Sequence, residues 1–167
     1  MKITKGELIA LFNGMSEVKT QLQKVSITST KVYYPIAKNL LAIQDEINII
    51  RELDPNNIAL EFNKERIEEA KKYAKKDDND EFIIIKSENE KGKFDIDEED
   101  MKILDETLEN IWNEKYKDDV VSAEQQFSEL IQQEVDIELL TIEIDDLIKR
   151  LPELSPKVID ELLKIIN

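Results

Sequence analysis

Leu8, Leu11, Phe12, Met15, Val18 and Leu22 recur at three- and four-residue steps, the spacing of one apolar helix face. Thr4 followed by Glu7 has capping-box spacing and predicts where that helix opens. Gly14 weakens it by up to about 1 kcal/mol without ending it. The β-branched, serine-rich run at 25–31 breaks the period and predicts a loop or short extended piece. Beyond it, Pro35 suits a first helical turn, and Tyr33, Ile36, Leu40, Ile43, Ile47 and Ile50 step alternately by three and four. This a/d seam lasts only about two and a half heptads. It predicts an intramolecular packing face, with a homodimer through Ile36, Leu40, Ile43, Ile47 and Ile50 as the alternative.

Asp54-Pro55-Asn56-Asn57 should break or kink that helix, and a third resumes near Asn63 with Ile67, Ala70, Tyr73 and Ala74 inward. The run at 75–80 reads as a solvated loop. Phe82-Ile83-Ile84-Ile85 is too apolar and branched for a surface loop, and Phe94 and Ile96 alternate with Asp95 and Asp97 on the return. Together they predict a hairpin over about 82–96. Asp97 can cap the next helix, with Glu98, Glu99 and Asp100 at its positive end and Met101, Leu104, Leu108, Ile111 and Trp112 as its buried stripe.

Ser122 with Gln125 is a second capping box, opening a helix that holds Phe127, Leu130 and Ile131 inside. The period then falls to two. Val135, Ile137 and Leu139 alternate with Asp136 and Glu138, and Leu140, Ile142 and Ile144 continue with opposite parity. A strand over about 134–144 with a bulge near Leu139–Leu140 explains the slip, a continuing helix being the rival. A lone hairpin is marginal in water, so this segment is expected as its third strand. Ser155-Pro156 is a cap-and-N1 pair for a terminal helix bearing Ile159, Leu162, Leu163 and Ile166. The expected fold is α+β, mainly helical: long helices packed with a small antiparallel sheet. It forms a single domain over 1–167, with a helical lobe 1–76 and an acidic α+β lobe 77–167.

Composition narrows the setting. A chain of 167 residues suits one domain, and 41% hydrophobic residues with only three Gly and four Pro exclude a disordered or loop-rich chain. No apolar run approaches the roughly 18–20 residues that span a bilayer, and Met-Lys-Ile-Thr-Lys-Gly-Glu lacks a signal-peptide hydrophobic region. With no Cys, a reducing compartment is the natural expectation, here that of a soluble, intracellular protein. Charge changes the picture most. Residues 95–146 hold 19 Asp and Glu against three Lys, a balance of −16, whereas the whole chain carries −15. Such a field attracts basic surfaces over roughly a Debye length (about 8–10 Å) and repels nucleic acid and anionic membrane.

With neither His nor Cys, Ser-His-Asp and Cys-His catalysis and His- or thiolate-bound metal sites are removed. Glycines at 6, 14 and 92 build no phosphate-cradling loop. Asp77, Asn79, Glu81 and Glu88 fit four positions of a calcium-loop frame, but Phe82 stands where the sharp turn requires Gly. Asp95, Asp97, Glu98, Glu99 and Asp100 could gather Mg²⁺, but a helix N-terminus loaded with favourable charge is the preferred explanation. No catalytic residue, cofactor or metal site is expected. Trp112 and Tyr116 lie four apart on the acidic helix, as core packing or as an aromatic anchor ringed by Glu109, Glu114, Asp118 and Asp119.

Several short motifs carry a resemblance: Ala37-Lys38-Asn39, Lys72-Tyr73-Ala74, Gly92-Lys93-Phe94, Gln133-Glu134-Val135-Asp136-Ile137 and Leu154-Ser155-Pro156. With the order of elements, they resemble a group of small, mostly uncharacterised proteins of tailed phages and prophages of low-GC Gram-positive bacteria. The break at 54–62 departs from the single long helix of that group. The resemblance implies a phage-encoded protein working in the bacterial cytoplasm or during virion assembly, and it transfers no catalytic residue. The expected function is non-enzymatic: inhibition or modulation of a host defence or nucleic-acid-handling protein through its basic surface, in place of nucleic acid. The partner-binding residues would be Asp95, Asp97, Glu98, Glu99, Asp100, Asp105, Glu106, Glu109, Trp112, Glu114, Tyr116, Asp118 and Asp119. The alternative is a virion- or tail-assembly accessory or minor structural protein acting through helical oligomerisation.

Overall fold

The protein is described from a computed structural model, over residues 1–25, 31–85 and 92–167. The chain divides into two compact units: Met1–Leu53 with Gln126–Asn167, and Asp54–Gln125. These boundaries differ from the expected lobes 1–76 and 77–167, because the C-terminal quarter packs with the first two helices. The fold is α+β and mainly helical, as the periodicity predicts.

In the first unit, β1 (Lys2–Thr4) leads into α1 (Lys5–Lys24). Thr4 caps α1: its Oγ1 accepts from the Glu7 N–H at 3.2 Å, and Glu7 Oε2 accepts from the Thr4 N–H at 3.0 Å. That bond to the Thr4 N–H, first among its causes, holds the Glu7 carboxyl below the usual range. Leu8, Leu11, Met15, Val18 and Leu22 are all buried. They face α2 (Tyr33–Glu52) and α7 (Pro156–Leu162). Gly14 explains itself here: a Cβ at that position would stand 2.9 Å from Glu161 Cβ, so its cost in helix propensity permits the close approach of α7. Most of the expected loop at 25–31 lies outside the described residues; Val25 and Lys31 are turn residues.

The seam of α2 is an internal surface. Ile36, Leu40, Ile43, Ile47 and Ile50 are 0–7% exposed and belong to the core formed with α1 and the C-terminal elements. A homodimer through these five residues is therefore corrected: the chain itself already covers them. Helix α2 ends at Glu52, before Pro55, as expected.

The segment at 134–144 brings the largest correction. Only Glu134–Asp136 is a strand (β4), and it pairs antiparallel with β1, Ile3 opposite Val135, not with the hairpin. Residues 137–143 run on without a regular ladder, and α6 (Ile144–Arg150) follows. The parity slip is nonetheless real: Val135, Ile137 and Leu139 are partly buried and Leu140 is exposed, while Ile142 is buried and bridges Ile166. The buried side chain of Asn39 holds the chain where it slips, donating through Nδ2 to the Leu140 carbonyl and accepting the Leu140 N–H at Oδ1, both at 2.8 Å. One amide thus takes the place of a neighbouring strand. Ser155 caps α7 through its hydroxyl, and Val158 and Leu162 are buried, whereas Leu163, expected inward, is 62% exposed.

The second unit begins with α3 (Asn56–Tyr73), which opens seven residues before Asn63 because Asp54 Oδ1 accepts the Asn56 N–H at 2.9 Å and organises the turn. That early start turns Phe62 inward and leaves Ile67, expected inside, 46% exposed. The hairpin is shorter than expected: β2 (Ile84–Ile85) pairs with β3 (Lys93–Phe94), and Phe82 and Phe94 meet edge to face at 5.4 Å. Residues 86–91, between the two strands, lie outside the described residues. The run at 75–80 is an ordered turn: Asp77 Oδ1 accepts the N–H groups of Asn79 and Glu81, and these bonds hold its carboxyl below the usual range.

Asp97 stands at the N-cap of α4 (Glu98–Ile111), which continues through a π-helical segment (Trp112–Tyr116) into α5 (Lys117–Gln132). The capping box expected at Ser122 is a correction, since Ser122 lies inside α5. Leu104, Leu108, Trp112, Tyr116 and Val120 face inward at steps of four. On a regular helix four such steps drift by about 160°, and the wider π turn takes up part of that drift. The change of phase marks a bulge, not a new helix.

Candidate functional site

The acidity belongs to the second unit. Residues 54–125 carry 23 acidic and 12 basic residues, a net −11, within a chain of −15. On α4, Glu98, Glu99, Asp105, Glu106 and Glu109 are exposed and fall within an arc of about 120°, opposite Leu104, Leu108 and Ile111. Asp100 lies outside the arc and is half-buried. Beyond the helix, Glu114, Asp118 and Asp119 are also exposed. These five carboxylates of α4 thus share one face, with exposed Lys102 at its centre.

Two expected partner-binding acids have a structural task instead. Lys75 Nζ lies 2.6 Å from Asp97 and 3.6 Å from Asp95, and the Lys75 N–H donates to the Asp95 carbonyl at 2.9 Å. The Ile83 N–H in turn donates to the Lys75 carbonyl at 2.9 Å. One lysine therefore ties the end of α3, the hairpin and the start of α4. The bond to Asp97, first among its causes, raises the Lys75 ammonium above its ordinary value.

Trp112 and Tyr116 are half-buried, not freely presented. Phe62 of α3 meets Trp112 edge-on at 4.9 Å and Tyr116 at 5.4 Å, and the two partners stack at 6.3 Å. Beside them, Glu65 accepts from Lys115 Nζ at 2.5 Å and from the Tyr116 hydroxyl at 2.6 Å. Phe62 and Glu65 have no signal in the sequence, because their role depends on the early start of α3.

These bonds make a pH-sensitive latch. The Glu65 carboxylate pushes the Tyr116 hydroxyl up to about 12, while Lys115 first and Tyr116 second hold Glu65 below the usual carboxylate range. Tyr116 therefore stabilises the folded unit fully below its unfolded value near 10, and that contribution is lost as pH rises through about 12. Glu65 acts at the other end: its contribution is present above the ordinary value of 4.5 and lost as pH falls through the lowered folded value. Trp112, the single tryptophan, reports the alkaline event. Its emission should change in a step near pH 12 that Tyr116→Phe removes and Glu65→Gln moves toward 10. A step indifferent to Glu65→Gln would refute the latch.

Among the described residues, no group of three or more Asp or Glu is placed to hold a metal ion, and no helix is long and apolar enough to cross a membrane. Asp77 of the calcium-loop frame is committed to its own turn, and Glu88 lies outside the described residues. No family model, curated protein or solved structure matches the chain.

Proposed function

We propose that this is a non-enzymatic binding protein of the bacterial cytoplasm whose acidic unit engages the basic surface of a partner protein. The observation that carries the reading is the shared face of Glu98, Glu99, Asp105, Glu106 and Glu109 within the unit of net −11. A row of exposed carboxylates on a rigid helix accelerates encounter with cationic surfaces and disfavours nucleic acid. Trp112 and Tyr116 support the row from beneath, fixed on Phe62, instead of anchoring the partner directly. The phage setting, and with it a host defence or nucleic-acid-handling protein as target, rests on the sequence resemblance. The assembly alternative would have to act through another surface, since the seam it named is covered by the chain itself.

The test is capture from host lysate at about 50 and 200 mM salt, where screening lengths differ roughly twofold. The wild-type chain is compared with a variant carrying Gln at 98, 99, 106 and 109 and Asn at 105. Partners held by the wild type should be reduced at least about tenfold by the variant, by the higher salt and by added DNA. Equal recovery on wild type and variant would overturn the reading.

A further inference from the structure

Helix α2 buries one apolar face in the core and carries three large apolar side chains on the opposite, mixed face, which Asn48 and Glu52 share. The apolar three are Tyr34, Leu41 and Ile49, which are 54%, 75% and 48% exposed. At about 100° per residue these three lie within about 80° of one another, opposite the buried seam. Lys38 and Asp45 share this face and are exposed. They stand seven residues apart, about 10 Å along the axis, too far to pair with each other. Neither makes an ion pair among the described residues.

The spacing is self-complementary. If two copies of α2 lie antiparallel about a two-fold axis beside Leu41 and Ala42, Lys38 of each copy meets Asp45 of the other. Tyr34 then meets Ile49, and Leu41 lies over the small Ala42. Each charge gains one opposite partner, and the pair occurs twice by symmetry around an apolar centre. Local charge agrees with this: α2 carries Lys38 and Arg51 against Asp45, Glu46 and Glu52, nearly neutral in a chain of −15. It is a face on which like-charge repulsion between copies is small. A strongly basic or acidic partner would satisfy only one charge of the pair.

We propose that the outer face of α2, with Leu41 at its centre and Lys38 and Asp45 as reciprocal ion pairs, is the interface of an antiparallel homodimer. It is independent of the acidic unit's partner, because its test uses the purified chain alone.

Sedimentation velocity of the full chain, from micromolar to near-millimolar at physiological salt, reads the association. The wild type should dimerise, and Leu41→Glu should weaken the dimer at least about thirtyfold while leaving unchanged the melting temperature measured in dilute solution where both chains are monomeric, since the side chain is on the surface. Lys38→Glu and Asp45→Lys should each weaken it about tenfold, or about 1.4 kcal/mol. The double variant Lys38→Glu with Asp45→Lys restores both pairs with reversed sign and should return within about threefold of wild type. A wild type monomeric throughout, a dimer indifferent to Leu41→Glu, or single charge variants not rescued by their combination would each overturn the proposal.

Discussion

Asn39→Leu is expected to destabilise the first unit by about 2–3 kcal/mol, a loss of roughly 5–10 °C in melting temperature. The side chain is 2% exposed and both its polar atoms are used, one on each backbone group of Leu140. Leucine fills the volume but leaves an N–H and a carbonyl without their partner, and that desolvation outweighs any gain from apolar packing. Asn39→Asp separates this from a packing effect. An ionised carboxylate still accepts the Leu140 N–H but opposes the Leu140 carbonyl. Once protonated it can donate again. The folded pKa of the introduced carboxyl is therefore raised, and the variant should regain stability as pH falls toward the carboxylate range. Chemical denaturation of both variants across pH checks this; an Asn39→Asp chain equally unstable at all pH values would contradict it.

Ile43→Ala is expected to cost about 2–5 kcal/mol, whereas Leu41→Ala, two residues away, should change stability by less than about 0.5 kcal/mol. Ile43 is 1% exposed and Leu41 75%, so the first substitution opens a cavity in the core and the second trims a side chain in water. Urea unfolding of the two variants measures the difference. Similar losses would mean that both faces of α2 are packed within the monomer, removing the free face on which dimerisation depends.

The helices were legible because their signals are local. The Thr4–Glu7 box, the three-four steps of α1 and α2, the break at Asp54-Pro55 and the Ser155-Pro156 start all appear where the spacing predicts them. What failed were inferences about partners across long separations. Alternation at 135–139 reports correctly which side chains turn inward, but it carries no information on which strand lies alongside. β1 is only three residues long and gave no pattern to read. α6, seven residues long, was hidden behind the same alternation. The π segment misled differently, since its extra residue looks in one dimension like the end of one helix and the start of another.

Of the candidate site, the acidic character was visible in composition, and its gathering on one face of α4 follows from helical geometry. The roles of individual residues were not visible. Asp95 and Asp97 look like the rest of the row until Lys75 is seen between them. Trp112 and Tyr116 announce themselves by spacing, yet Phe62, which fixes them, sits fifty residues upstream.

The interleaving of the two units has a consequence for how the chain is made. Residues 54–125 form an uninterrupted stretch and can organise as soon as they leave the ribosome, whereas the groove of α1 that receives α7 stays open until residues near 162 emerge. At bacterial translation speeds that wait is on the order of ten seconds. Throughout it, α1 has only α2 to cover its apolar face, and completion of the first unit's core waits for the last part of the chain to be made.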